Sequence, residues 1–135
     1  MSDKKDGFLL VGEDDIDDQE MLREIFNENF PSYDLTFMTN GNELLKYAFT
    51  LPAGKLPCLI LLDYNMPGLN GSEILKELSL NTRYSKIPKL IWSTSGADTY
   101  KALCIDRGAN DYVVKPSTIR DLIEICRYFL SYCKN

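Results

Sequence analysis

Five short apolar segments, each followed by a stretch with helical periodicity, constrain the fold of this 135-residue chain more than any other feature. Short apolar runs bounded by turn or charged residues are typical of strands buried in a sheet. These segments are residues 7–12, 34–39, 58–63, 89–93 and 111–114. Because strand and helix patterns alternate, we expect a parallel sheet with helices on both faces and right-handed crossovers. Weak polar alternation in the second segment predicts a half-exposed edge strand.

This pattern suits a doubly wound, flavodoxin-like (βα)5 fold of the α/β class, with the strand order 2-1-3-4-5. In that order the first and third strands are neighbours, so their carboxyl ends meet at one edge of the sheet. The chain shows no internal repeat and is short enough for one core. We therefore predict a single domain over residues 1–135, without a separate output domain.

Polar residues mark the expected helix ends. The acids at positions 15, 17 and 18 are interpreted as first-turn and capping residues, with Asp15 or Asp17 as the cap of the first helix. Ser117 is predicted to cap the last helix, and Gly108 to follow the C-terminus of the fourth. Residues 80–86 are predicted to be a polar linker.

Composition excludes several classes of function. The sequence has no histidine, which excludes Ser-His-Asp and Cys-His catalysis, H-E-x-x-H zinc sites and a phosphohistidine role. A formal net charge of −5 argues against direct binding to nucleic acid. No apolar run is long enough to cross a membrane, and the polar N-terminus is unlike a signal peptide, so we predict a cytoplasmic protein. The cysteines lack C-x-x-C spacing and are predicted to be buried, reduced thiols: Cys58, Cys104, Cys126 and Cys133.

Chemically competent side chains follow four of the predicted strands. Asp63 ends the most apolar segment, Glu13 and Asp14 follow the first, Ser93 ends the fourth and Lys115 follows the fifth. Ligands of open α/β sheets bind at this edge. Carboxylates brought together there repel one another, so they either raise a pKa or bind a cation. Oxygen ligands without His or Cys favour Mg²⁺ or Mn²⁺, and together with a lysine and a hydroxyl they suit phosphoryl transfer to Asp63.

These residues also match a known family. A D-x-x-M-P-G-x-x-G block occupies residues 63–71, and G-A-x-x-Y-x-x-K-P occupies residues 108–116. With the acidic pair and Ser93, they make residues 7–133 resemble the receiver domains of two-component response regulators. Within that family, the chain resembles the stand-alone, single-domain receivers of the chemotaxis and phytochrome-partner types. Two positions depart from the family pattern: Glu13 stands where Asp is commoner, and Ser93 replaces the commoner Thr.

The resemblance implies a role for each residue at the edge. Asp63 would take a phosphoryl group from a sensor histidine kinase or a phosphotransfer protein. Glu13, Asp14, Asp63 and the backbone carbonyl of Asn65 would hold Mg²⁺. Lys115 would pair with the phosphoaspartate.

The resemblance also implies a switch. Ser93 would turn towards the phosphoryl group and Tyr112 would follow it inward, while Asn65 and Ser95 would tune a slow autodephosphorylation. The surface of the fourth helix, fifth strand and fifth helix would then bind a downstream protein. The chain would be a phosphoacceptor rather than an enzyme, and a monomer or a weak homodimer.

Three other interpretations share features with this chain. A pseudo-receiver would use it as a docking module without phosphorylation, but would not need Asp63, Asp14, Ser93 and Lys115 together. A haloacid-dehalogenase-type phosphatase needs a second Asp two residues after the nucleophile, where this chain has Asn65. A flavodoxin-like FMN protein needs a hydroxyl-rich loop after the first strand, whereas here such a loop follows the fourth.

Overall fold

The computed structural model describes residues 5–133. Its five strands form one parallel sheet in the order β2-β1-β3-β4-β5, which confirms the predicted fold class and strand order. The strands are β1 (Gly7–Gly12), β2 (Tyr33–Met38), β3 (Leu59–Asp63), β4 (Lys89–Ser93) and β5 (Asp111–Val114). The α-helices are α1 (Ile16–Asn29), α2 (Gly41–Thr50), α3 (Gly71–Leu80), α4 (Asp98–Asp106) and α5 (Ile119–Ser131), and a short 3₁₀ helix spans Ala53–Lys55.

Two apolar layers cover the two faces of the sheet. Alternate residues of a strand point to opposite faces, so Leu9 and Leu61 pack with α1 and α5, whereas Leu10 and Leu62 pack with α2, α3 and α4. All five residues of β3 are buried, whereas β2 is only half-buried because it lies at the edge, as predicted. The sheet thus holds the carboxyl ends of β1 and β3 side by side.

Most helix ends agree with the sequence analysis, and one does not. Asp15 caps α1, and its side chain accepts a hydrogen bond from the backbone of Asp18. Gly108 follows the C-terminus of α4 with a φ of +110°, a conformation that glycine adopts without a Cβ penalty. The prediction for α5 was wrong, because Thr118 rather than Ser117 accepts the capping bond, from the backbone N–H of Asp121.

The segment predicted as a polar linker contributes to the core. Tyr84 is fully buried, and its hydroxyl donates to the carbonyl of Ala48 at 2.5 Å. It packs with the α2 and α3 side of the sheet. A single aromatic residue within a polar segment creates no periodic apolar pattern, so the sequence did not indicate that Tyr84 is buried.

The cysteine prediction was right for two residues and wrong for the other two. Cys104 and Cys126 are free and buried. Cys58, directly before β3, forms a disulfide with Cys133, beyond α5, with their Cα atoms 5.0 Å apart. The pairing joins residues that are 75 positions apart in sequence, and the two crossovers between them bring the sulfurs together.

No helix within residues 5–133 is both long and apolar enough to cross a bilayer.

Candidate functional site

Three carboxylates converge where β1 and β3 end. One oxygen from each of Glu13, Asp14 and Asp63 lies within 4.8 Å of the others. Gly12 pairs with Leu62 across the two strands, so the residues that follow them emerge next to each other. Glu13 and Asp63 are buried and Asp14 is exposed. Such a group has one side open to solvent and two carboxylates that have lost most of their hydration.

Glu13, directly after β1, is held by hydrogen bonds to its side chain and to its backbone carbonyl. Its Oε2 accepts from the backbone N–H of Asp15 at 3.1 Å, and Gln19 Nε2 donates to its carbonyl at 2.6 Å. Burial raises the pKa of Glu13 to about 7, although the hydrogen bond and the charge of Lys115 act in the opposite direction. A buried anion of this kind is stabilised by any cation that enters the cluster.

Lys115 supplies the cationic group of the site. Its Nζ lies 2.9 Å from Glu13 Oε1, 2.7 Å from Asp18 Oδ2 and 3.3 Å from Asp63 Oδ2. Burial alone lowers the pKa of Lys115, but the hydrogen bonds to Asp18 and Glu13 outweigh it and raise the pKa above its ordinary value. The ammonium also lies 4.9 Å above the centre of the Trp92 ring, a cation–π distance.

Asp18 is the residue that sequence reasoning missed. It was interpreted as a first-turn acid of α1, yet its carboxylate makes the shortest of the three ion pairs of Lys115. First-turn acids are common for electrostatic reasons alone, so its residue type carries no signal. The only available hint is that α1 begins at the same edge of the sheet as the other site residues.

Ser93, Ser95 and Tyr112 form a second group, around the carboxyl end of β4. Ser93 is fully buried, and its Oγ accepts from the backbone N–H of Ser95 at 3.2 Å. The Tyr112 hydroxyl donates to the carbonyl of Ser95 at 2.7 Å, and its ring is already buried. Because Asp63 pairs with Trp92 across the strands, Ser93 lies one position beyond the level of Asp63.

The loop after β3 bends sharply around Asp63. The backbone N–H of Asn65 donates to Asp63 Oδ1 at 3.2 Å, and the N–H of Gly71 donates to the carbonyl of Tyr64 at 2.8 Å. The Asn65 side chain is exposed. The Tyr64 ring stacks on that of Tyr100 in α4, with centroids 4.6 Å apart.

The donor set of the cluster fits a hard divalent cation. Glu13, Asp14 and Asp63 offer carboxylate oxygens only, as Mg²⁺ and Mn²⁺ prefer. Lys115 pairs with Glu13, Asp63 and Asp18. Because Asp14 adds a further negative charge to the cluster, a bound cation would relieve the repulsion between its carboxylates. The exposed face of Asp14 leaves room for the waters that Mg²⁺ usually keeps.

A family model and curated proteins that match this sequence point to the same protein family. The sequence model described as the response regulator receiver domain matches residues 9–127. Transcriptional regulatory protein BaeR of Escherichia coli is 31% identical over 103 residues, which are 76% of this chain and 40% of BaeR. The chain spans 30% to 48% of the length of four curated relatives that it matches.

Solved structures show the same fold. The phosphorylated cyanobacterial phytochrome response regulator RcpA aligns with a TM-score of 0.84 at 23% identity, over 93% of this chain and 92% of RcpA. The Mn²⁺-bound form of response regulator Rcp1 aligns with a TM-score of 0.80 at 23% identity, with the same coverage. At these identities the likeness concerns the fold.

Proposed function

Since the chain belongs to the response regulator receiver domain family, we propose that it is a signalling phosphoacceptor and that Asp63 is the residue phosphorylated. The observation that carries the proposal is the position of the Asp63 carboxylate, which lies 3.3 Å from the Lys115 ammonium within a three-carboxylate cluster. The donor would be a phosphohistidine on a sensor histidine kinase or a phosphotransfer protein.

The proposed step is a direct displacement at phosphorus. An oxygen of Asp63 forms the new P–O bond while the P–N bond to the donor histidine breaks. The electron pair stays on the imidazole nitrogen, which takes a proton from solvent. Lys115 stabilises the charge on the phosphoryl oxygens, since its ammonium already lies within reach of Asp63.

Glu13, Asp14, Asp63 and the carbonyl of Asn65 would hold Mg²⁺ or Mn²⁺. When bound, the cation neutralises charge between the carboxylates and the transferred group. The proposal is supported by the oxygen-only donor set and by Rcp1, which has been solved in an Mn²⁺-bound form.

Switching would pass through Ser93 and Tyr112 to the surface formed by α4, β5 and α5. Ser93 would exchange its bond with the Ser95 N–H for one to the phosphoryl group. Tyr112 is already turned inward, so its part in the switch would be to hold its bond to the Ser95 carbonyl. Asn65 and Ser95 would tune the slow hydrolysis of the phosphoaspartate. A downstream protein in the cytoplasm would bind the altered surface.

Labelling with a small phosphodonor tests the proposal. Purified protein is incubated with Mg²⁺ and acetyl phosphate, and intact mass is recorded. We expect a base-labile gain in mass of one phosphoryl group in wild type. The same gain is expected in the control variant Asp17→Asn, which removes an exposed acid from the first turn of α1. The gain should disappear in Asp63→Asn and after chelation of the metal.

Undiminished labelling of Asp63→Asn would refute the assignment of the acceptor. Failure of wild type to label would favour a docking module that works without phosphorylation.

A further inference from the structure

Lys115 is shared among three carboxylates, and they are not equivalent. The Asp18 contact is the shortest, at 2.7 Å, against 2.9 Å for Glu13 and 3.3 Å for Asp63. The Lys115 side chain is 11% exposed and that of Asp18 is 28% exposed. The ion pair is therefore only partly screened by solvent.

Asp18 differs from the other two partners in its relation to the metal cluster. Among the described residues, the carboxylates whose oxygens lie within 4.8 Å of one another are Glu13, Asp14 and Asp63, and Asp18 is not one of them. A cation in this cluster would compete with Lys115 for Glu13 and Asp63. Asp18 would then be the carboxylate partner that Lys115 keeps.

The backbones of Asp18 and Lys115 are each held by a hydrogen bond, whereas the Lys115 ammonium is not confined to one position. The backbone N–H of Asp18 donates to Asp15 Oδ1 at 3.1 Å, which holds the first turn of α1 in place. The backbone N–H of Lys115 donates to the Ser93 carbonyl at 2.8 Å, which extends the β4–β5 ladder. The ammonium above Trp92 borders a cavity of about 230 Å³, so it has room to move.

We propose that Asp18 is a positioning residue that holds the Lys115 ammonium on the α1 side of the site, in competition with the phosphoryl group. The inference rests on the proposed function, because it concerns the cation that would meet the phosphorylated Asp63. The Lys115 ammonium lies nearer to Asp18 than to Asp63, at 2.7 Å against 3.3 Å, so the Asp18 carboxylate competes with phosphoryl oxygens on Asp63 for it. Asp18 thus favours the unphosphorylated arrangement and sets how strongly Lys115 stabilises the phosphorylated one.

Binding of beryllofluoride, an analogue of the phosphoryl group, tests the competition directly. The probe is titrated at saturating Mg²⁺ and fixed ionic strength, and followed by emission of Trp92, the single tryptophan. Because the Asp18 carboxylate no longer competes for Lys115, we expect Asp18→Asn to bind the analogue about two- to fivefold more tightly than wild type, the range of a partly exposed ion pair. Emission without ligand should also change, since the ammonium sits over the indole ring.

Asp17→Asn is the matched control. It removes the same charge from the same turn of α1, but Asp17 is exposed and is not one of the ion-pair partners of Lys115 in the described structure. Asp17→Asn therefore reports how the loss of one negative charge from α1 changes the affinity when no ion pair of Lys115 is removed. Its Trp92 emission without ligand should equal that of wild type. Asp18→Glu, which restores a carboxylate, should return the affinity towards the wild-type value.

The outcomes separate the two proposals. If wild type is labelled on Asp63 but Asp18→Asn and Asp17→Asn shift the affinity equally, the role of Asp18 is refuted and the proposed function stands. If wild type neither labels nor binds the analogue, both are refuted. Thermal unfolding of each variant excludes a change in folded fraction as the source of a shift.

Discussion

Lys115, which is half-buried, and Lys89, which is buried, have opposite electrostatic surroundings. Lys115 is surrounded by carboxylates, and its pKa is raised. Lys89, at the start of β4, is 2% exposed, and within the described residues its ammonium donates to the carbonyl of Ile87 alone. Burial lowers the pKa of Lys89. One lysine is therefore suited to binding anions, and the other costs stability.

Replacing Lys89 should stabilise the protein. Lys89→Met keeps a long side chain of similar volume but removes an amine that has lost its hydration. We expect the free energy of unfolding at neutral pH to rise by about 1 kcal/mol, measured by urea denaturation. Lys86→Met is the control, because Lys86 is exposed and the change should be nearly neutral.

The gain from Lys89→Met should depend on pH. Since the folded-state pKa of Lys89 lies below that of the unfolded chain, the unfolded state binds more protons between the two values. Wild-type stability therefore rises with pH across that window relative to the variant. The advantage of Lys89→Met should be largest below the folded-state pKa and shrink as the pH nears the ordinary lysine value of about 10.5. An advantage independent of pH would contradict this account.

At the scale of elements, the join between β3 and α3 positions the Asp63 carboxylate. Gly71 is the first residue of α3, and Asn70 and Glu73 form a capping box around it. A Cβ on Gly71 would lie 3.0 Å from the Tyr64 Cα and 3.4 Å from the Asp63 carbonyl oxygen. Backbone atoms cannot rotate away as a flexible side chain can, so the join has little freedom.

Gly71→Ala should therefore disturb the site as well as the fold. We expect a loss of about 1–3 kcal/mol in the free energy of unfolding, the usual cost of forcing extra volume into a packed region. Labelling of Asp63 by acetyl phosphate should also slow. Gly54→Ala is the control, since nothing lies within 4 Å of its added Cβ and the change should be neutral or slightly stabilising. Equal stability of the two variants would show that the join accommodates a side chain.

At the scale of the whole molecule, the Cys58–Cys133 disulfide joins the start of the central strand to the end of the last helix. It lies at the opposite end of β3 from Asp63, so it does not touch the site. Disulfides persist mainly in oxidising compartments and are uncommon in the cytosol. A stable Cys58–Cys133 disulfide therefore argues against the proposed cytoplasmic location. Counting the free thiols of the native protein would show whether this disulfide is formed.

Reduction of this disulfide should lower thermal stability. Opening a loop of 75 residues costs about 4.5 kcal/mol in the chain-entropy treatment, which corresponds to roughly 15 °C in Tm for a domain of this size. The Tm of wild type should fall on addition of a dithiol reductant, while that of Cys58→Ser/Cys133→Ser should not respond. Before reduction, the unfolded wild type should react as a protein with two free thiols, Cys104 and Cys126. A Tm insensitive to reductant would contradict the prediction.

Local pattern was sufficient for the fold and for the carboxylate cluster. Alternating strand and helix periodicity indicated five βα units, which suit the flavodoxin-like order β2-β1-β3-β4-β5, because parallel crossovers follow few topologies. The same topology predicted that Glu13, Asp14 and Asp63 would converge. Their individual roles remain proposals.

Tertiary structure alone decided three other features. Asp18 became a partner of Lys115, Tyr84 entered the core, and Cys58 bonded to Cys133. Each depends on a contact between residues far apart in sequence, in segments whose local pattern is indistinguishable from a helix cap, a polar linker or a buried thiol. Periodicity reports which face of an element is buried, whereas a specific pair of side chains meets only once the elements have packed.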